Sequence, residues 1–284
     1  MLCAIGGLAA AALVFGWVGQ VEVRSAAQPG NGAGHPVVVA ELFTSEGCSS
    51  CPPADDLLRR LSEGDLASEV QVIALGEHVD YWDRLGWRDA SSSSAFSARQ
   101  SAYDAAVFRT GGIYTPQLVV DGVLQAVGSD ASAVRRVVAE AARHPKATVL
   151  VTATRPEPDR MRVDVRAEVG AAVSAKGSAD LVVAVTEDGV VSHVRRGENG
   201  GRTLRHAAVV RSLTTIGALP KGERSISANA LIPLSRDWPP QHLQIVAFLQ
   251  ERASRRILGA GATAVAGAQQ PASTAATGVL SSRF

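Results

Sequence analysis

ELFTSEGCSSCPPADD, residues 41–56, joins an apolar run to an amphipathic one. The run before it, residues 37–43 (VVVAELF), is expected as a buried strand. The segment after it, residues 54–61, carries Leu57, Leu58 and Leu61 at helical spacing. Cys48 and Cys51 fall between them. A C-x-x-C at a strand-to-helix junction is a redox signature, because a helix start offers unpaired N–H groups and the positive end of its dipole. Both favour a thiolate, the species that attacks a disulfide. Cys48 is therefore expected as an exposed nucleophile and Cys51 as the resolving thiol in the first turn. Pro52 and Pro53 lack N–H donors and suit that turn. A zinc half-site would need two further ligands, and no second C-x-x-C exists. A purely structural disulfide here would close a tiny loop, with little entropic gain.

The charges around the pair are acidic. Glu46, Asp55 and Asp56 adjoin it, and no Lys or Arg lies between Val37 and Leu58. Neighbouring acids disfavour a thiolate. The expectation is moderate activation, with a potential nearer the reductant end, about −270 mV, than the strong-oxidant end, about −120 mV. An arginine arriving from elsewhere, such as Arg109 or Arg202, would reverse that.

Residues 36–145 read as a first domain. A second apolar strand is expected at 69–75, then a long excursion, 76–112, as a helical insert. Within the insert, residues 95–108 place Phe96, Tyr103 and Val107 on one side, behind a run of capping serines. Strands at 117–120 and 123–127 flank Asp121-Gly122, a strong hairpin signal. A helix at 132–143 carries Val134, Val137, Val138, Ala141 and Ala142 at helical spacing and ends before Pro145. This order, with C-x-x-C after the first strand and Thr115-Pro116 before the hairpin, resembles the thioredoxin fold. The resemblance implies a cis Thr115–Pro116 bond lying against the dithiol and lining a substrate groove. The chain departs from that family at Gly47, where a tryptophan is usual, at Ser49-Ser50, and in the length of the insert.

Further stretches sharpen the family. LFTSEGCSSCPPAD, HVDYWDRLGW, YTPQLVVDG and GENGGRTLRHAAVVR resemble, in order, an exported bacterial family catalogued as domain of unknown function 1223, over residues 37–258. The loop 78–87 leaves the carboxyl end of a strand, the ligand side of a parallel sheet, as does the Cys loop. Tyr81, Trp82 and Trp87 then either wall a groove beside Cys48 or pack on one another in a self-contained loop. His78, with Glu77, Asp80 and Asp83 nearby, is read as a relay or metal group, or as a hydrogen-bonded loop residue. The expected catalytic set is Cys48, Cys51 and Pro116. The expected substrate contacts are Thr115, Tyr81, Trp82, Trp87 and His78. No metal set and no cofactor are assigned.

Beyond Pro145 the periodicity changes to two residues. Residues 146–260 hold strand-like runs at 147–154, 161–169, 180–187, 203–213, 225–231, 243–251 and 256–259. The expected fold class is thus an α/β thioredoxin-like domain followed by an antiparallel β-sandwich-like domain. The loop 197–205 (GENGGRTLR) lacks a nucleotide-loop spacing. It is read first as a pair of turns; laid over the dithiol, it would present Glu198, Asn199 and Arg202. Residues 261–284, rich in Ala, Gly, Ser and Gln, are expected as a disordered tail.

The 284-residue chain has net charge +1 and 46% hydrophobic residues, and its lysines are only Lys146, Lys176 and Lys221. No basic stripe points to nucleic acid. Residues 1–18 are almost wholly apolar, so 1–27 reads as a signal peptide or N-terminal anchor, with 28–35 as a Gly-rich linker. Membrane attachment is expected only through residues 1–19, left uncleaved. Cys3 precedes the apolar run; without the leader, Cys48 and Cys51 are the sole cysteines. A single close pair fits a redox site in an oxidising compartment, periplasmic or secreted. The expected function is thiol–disulfide exchange with protein or small-molecule thiols and disulfides. The alternatives are a non-catalytic binding module with a permanent disulfide and a copper-handling dithiol with His78 as extra ligand.

Overall fold

The structure, a computed structural model, describes residues 35–65 and 68–265. The expected leader, the linker up to residue 34 and the tail beyond residue 265 lie outside the described residues. Among the described residues, no helix is long and apolar enough to cross a membrane.

The first half builds β1 (Val37–Thr44), α1 (Pro52–Ser62), β2 (Gln71–His78), α2 (Ser94–Tyr103), β3 (Gln117–Val120), β4 (Leu124–Val127) and α3 (Ala131–Ala142). α1 begins on Pro52 and Pro53, as their missing donors allow. Ser93 caps α2 through the Ala95 amide, and Asp130 caps α3 through Ser132 and Ala133. The expected helix at 95–108 divides into α2 and a π turn, Asp104–Phe108. β1 runs parallel to β2 and antiparallel to β3, with Phe43 opposite Gln117. Asp121 and Gly122 turn β3 into β4 with φ of 47° and 72°.

The second half is β5 (Thr148–Glu157), β6 (Arg160–Glu168), β7 (Ala179–Glu187), β8 (Val190–His193), β9 (Thr203–His206), β10 (Val209–Leu219), β11 (Ser225–Pro233), β12 (Leu243–Glu251) and β13 (Ile257–Ala264). The run expected as one strand at 203–213 breaks at Ala208, whose φ is 51°. β13 continues into the stretch expected as tail.

The expected fold class is overturned. One mixed sheet of eight strands, in the order β13-β12-β7-β10-β2-β1-β3-β4, runs through both halves. There is no α/β domain with a separate sandwich behind it. The cause lies at Gly76 in β2. Its N–H donates to Ala208 O at 2.8 Å, and Val209 pairs with it in parallel. A Cβ at Gly76 would lie 3.2 Å from Ala207 O, so the missing side chain lets β10 close on the edge of β2. β7, β12 and β13 then follow by antiparallel pairing. A second, three-stranded sheet, β11-β6-β5, packs on that extension.

Three cores result. α1 and α3 press Leu57, Leu58, Leu61, Val134 and Val138 onto Val38, Ala40 and Leu42. Each leucine so buried contributes about 2 kcal/mol. The other face of β1 and β2 offers Val39, Ile73 and Leu75 to Phe96, Val182, Phe248 and Ile257. These meet because the sheet rolls until Ile257 N donates to Asp121 O at 2.9 Å. The third core joins the two sheets. Val149, Met161, Val163 and Val165 face Leu181, Val183, Ile245 and Leu249. β6 alternates buried and wet residues, the period expected for a strand with one dry face.

Candidate functional site

Cys48 and Cys51 form a disulfide at the entry to α1, with Cα atoms 5.4 Å apart. Cys51 occupies the N-cap position, its N–H donating to Cys48 O at 3.2 Å and its carbonyl accepting from Ala54 and Asp55. Both cysteines are 0% exposed. The expectation of an exposed Cys48 is therefore corrected: only Ser49 and Ser50 between them reach solvent. The cover comes from the second half of the chain. The β8–β9 hairpin carries the loop 197–201 across the Cys loop. Buried Asn199 donates from Nδ2 to Glu46 O and to Cys48 O, both at 2.9 Å. Glu198 Oε2 accepts the Ser49 N–H at 2.9 Å. Arg202 does not touch the thiols; its Nη1 donates to Asn199 Oδ1 at 2.6 Å and so orients the strap. The loop read first as a pair of turns is thus also the lid of the dithiol.

The first half supplies the walls. The Thr115–Pro116 bond is cis. A methyl on Gly128 would lie 3.3 Å from Pro116 Cβ and 3.1 Å from Ala54 Cβ, so Pro116 packs close to the first turn of α1. Trp82 Nε1 donates to Thr115 Oγ1 at 2.8 Å. A Cβ substituent at Gly47 would sit 3.2 Å from Trp82 Cβ, so the small residue beside Cys48 makes room for this indole. Trp87 donates from Nε1 to Glu46 Oε2 at 2.6 Å. Tyr81 turns toward α2, its hydroxyl donating to Gln100 Oε1 at 3.2 Å. Cys48, Cys51, Trp82, Thr115 and Pro116 thus converge on one end of the sheet. His78 does not join their surface.

His78 is 1% exposed and lies beneath the loops. Its Nδ1 is 2.7 Å from Asp89 Oδ2, which also accepts the Glu46 N–H at 2.9 Å. Burial works against the His78 imidazolium, but the Asp89 carboxylate outweighs it and raises the His78 pKa. Burial likewise opposes the Asp89 anion, yet His78 and two backbone amides hold its pKa at about 2. The His78 ring stands edge-on to His206 with centroids 4.8 Å apart. His206, at the end of β9, has Nε2 3.6 Å from Glu46 Oε1 and Nδ1 3.7 Å from Asp55 Oδ2. Neither ring nitrogen has a hydrogen-bond partner, nor has Glu46 Oε1. Among the described residues, no group of three acidic, His or Cys side chains is arranged to hold a metal ion.

Sequence reasoning missed His206 as part of this site and ranked the placement of Glu198 and Asn199 over the dithiol second to a pair of turns. All three lie in GENGGRTLRHAAVVR, a stretch whose residues signal family more strongly than position. The site is assembled by contacts about 150 residues apart in sequence, such as Cys48 with Asn199.

Comparison with known proteins adds family and fold. Residues 39–250 match the family described as protein of unknown function DUF1223. The crystal structure of protein AGR_C_4864 from Agrobacterium tumefaciens is similar at 28% identity and TM-score 0.62, covering 82% of this chain and 96% of that one. HBP35 of Porphyromonas gingivalis shares the fold at 18% identity and TM-score 0.58, over 86% of this chain and 82% of that one. No curated protein sequence matches the chain. With the family matched over most of its length, this chain belongs to the DUF1223 family.

Proposed function

We propose that the protein exchanges its Cys48–Cys51 disulfide with the thiols of a protein or small-molecule partner in an exported, oxidising compartment. One observation carries the reading: ionisable groups with unmatched polar atoms are buried beside the loop that holds the disulfide. Glu46 and His206 are 1% and 4% exposed and retain orphaned polar atoms. Burying such groups costs stability, and a bridge between cysteines only three apart returns little by closing its loop. A site kept for stability alone has no use for them; a dithiol whose thiolate must be tuned does. In this reading Cys48 Sγ is the attacked atom and Cys51 the leaving thiolate. Trp82, Thr115 and Pro116 form the wall against which a partner's chain lies. Exposed Glu198 and the strap behind it must swing aside first. The apolar N-terminus and the lone cysteine pair support export.

The test is the redox equilibrium of the pair in a glutathione buffer series. A potential between about −270 and −120 mV is expected for an exchanging dithiol. A value below about −300 mV, where structural disulfides lie, would overturn the reading.

A further inference from the structure

The acids beside the cysteines should oppose a thiolate, yet the structure sets a basic group beside each of them. Asp56 pairs with Arg59 at 2.8 Å. Glu46 Oε1 and Asp55 Oδ2 instead face the two nitrogens of one imidazole, His206, at 3.6 and 3.7 Å. A neutral imidazole has one N–H and one bare lone pair, so one nitrogen would direct that lone pair at a carboxylate oxygen. Only the doubly protonated ring offers an N–H to both. The three side chains are buried at 4%, 1% and 6% exposure, so bulk water screens them little. They bracket the redox pair. Glu46 lies two residues before Cys48, and Asp55 lies one helical turn after Cys51, its N–H bonded to Cys51 O at 3.1 Å.

We propose that His206 is the charge-setting residue of the dithiol: as an imidazolium between Glu46 and Asp55, it cancels the two nearest acids and shifts the redox poise of Cys48–Cys51 toward the reduced pair. This rests on the exchange reading above and adds the group that tunes it. The step is balanced as follows. A partner dithiol gives two electrons and becomes a disulfide; the Cys48–Cys51 bond breaks, leaving Cys48 as thiolate and Cys51 as thiol. Of the partner's two protons, one stays on Cys51 and one is released to solvent. His206 is already charged and does not consume it. Its charge favours the anionic product, so losing that charge makes the reduced pair less stable.

His206 is a positioning residue, since the groups it touches are the acids and not the sulfurs. The charged and titratable groups around it come from every neighbouring element. They are Glu46 from the loop before α1, Asp55, Arg59 and Glu63 from α1, and His78 from β2 with Asp89 behind it. Asp188, in the turn after β7, and its own neighbour Arg205 line the same pocket.

The test compares the full chain with His206→Asn, which keeps a polar group and removes the charge. The readouts are the equilibrium constant with glutathione and the Cys48 thiolate absorbance between pH 5 and 9. The variant is expected to favour the disulfide about tenfold more, roughly 30 mV for a two-electron couple. The gap should appear where wild-type Cys48 is a thiolate and should vanish at pH low enough to protonate it. An unchanged constant and pH profile, in a variant that still exchanges with glutathione, would overturn the role of His206 and leave the exchange reading intact. A wild-type disulfide that never exchanges removes the exchange reading instead. Should His206→Asn fail to fold, NMR titration of the His206 ring in oxidised and reduced wild-type protein decides. Its midpoint should rise on reduction, because a thiolate favours the imidazolium; an unmoved midpoint would overturn the proposal.

Discussion

Two buried polar clusters occupy this molecule, and they are built differently. Inside the rolled sheet, Arg99 of α2 donates to Glu41 Oε2 at 2.6 Å, Gln250 Oε1 at 3.1 Å and Tyr103 Oη at 2.9 Å. Tyr103 in turn donates to Glu41 Oε1 at 2.5 Å and accepts from Gln250 Nε2 at 2.8 Å. Glu77 is the odd member, without hydrogen-bond partners. Burial, then the nearby Glu41 anion, push its pKa well above the usual carboxylate range. The second cluster, under the disulfide, leaves both nitrogens of His206 and one oxygen of Glu46 unmatched. The first joins β1, α2 and β12 by paired groups around Arg99, with Glu77 of β2 as its one unmatched member, and reads as architecture. The second keeps unmatched groups beside a reactive bond and reads as function.

Arg99→Met breaks that comparison most severely. It leaves Glu41 without its cation inside the sheet, and removing one partner of a buried ion pair costs about 3–5 kcal/mol. His206→Asn removes no hydrogen bond, but it leaves Glu46 and Asp55 without the imidazolium proposed above across longer gaps of 3.6 and 3.7 Å, so it is expected to cost less, about 1–3 kcal/mol. Urea denaturation of both variants measures the difference. Equal losses would erase the distinction between a structural and a functional cluster.

The His78–Asp89 pair gives the next effect through pH. His78 has a raised folded pKa, so its contribution is complete below the unfolded value near 6.5 and is lost as pH rises through the folded value. Asp89 is depressed to about 2, so its contribution is complete above the unfolded value of 3.8 and is lost as pH falls toward 2. The pair therefore stabilises fully between about pH 4 and 6.5. Thermal unfolding of Asp89→Asn should show a flatter pH profile on both flanks. A variant that keeps the wild-type profile would remove the pair from the account.

Local features of this architecture were legible in the residues. The α3 stripe of Val134, Val138 and Ala141, the Asp121-Gly122 turn and the alternation of β6 each follow from short-range rules. The single sheet was not. It depends on one backbone approach at Gly76, and a glycine in an apolar strand does not announce which distant strand will meet it. The burial of Cys48 was hidden for the same reason. Gly197 and Gly201, with φ of 74° and 84°, mark turns truthfully, but the landing place of the loop is set by β7 and β10 on either side of the β8–β9 hairpin. Reading the cysteines from their own neighbours therefore overstated their exposure.

The smallest expected effect on stability concerns that strap, and it is the most specific. Glu198 is exposed, and its one described hydrogen bond is from the Ser49 N–H, so Glu198→Ala should change stability by less than about 0.5 kcal/mol. Its effect should fall on access. Ser49 lies next to Cys48, and releasing its amide frees one of the two points at which the loop 197–201 is tied across the disulfide. The other, Asn199 on the carbonyls of Glu46 and Cys48, remains. Reduction by a small phosphine should therefore speed up several-fold in Glu198→Ala. Asn199→Ala, which removes the buried tie, should speed it further but with a measurable loss of stability, about 1–3 kcal/mol. The Ser49 hydrogen bonds hold the Glu198 pKa below its ordinary value, so the wild-type strap stays tied until the solution is distinctly acidic. Below that point the wild-type rate should rise toward that of Glu198→Ala, whose own rate should not show the step. Identical rates in both proteins at every pH would mean that the strap does not gate the disulfide, and access would have to come from the Trp82–Thr115 side.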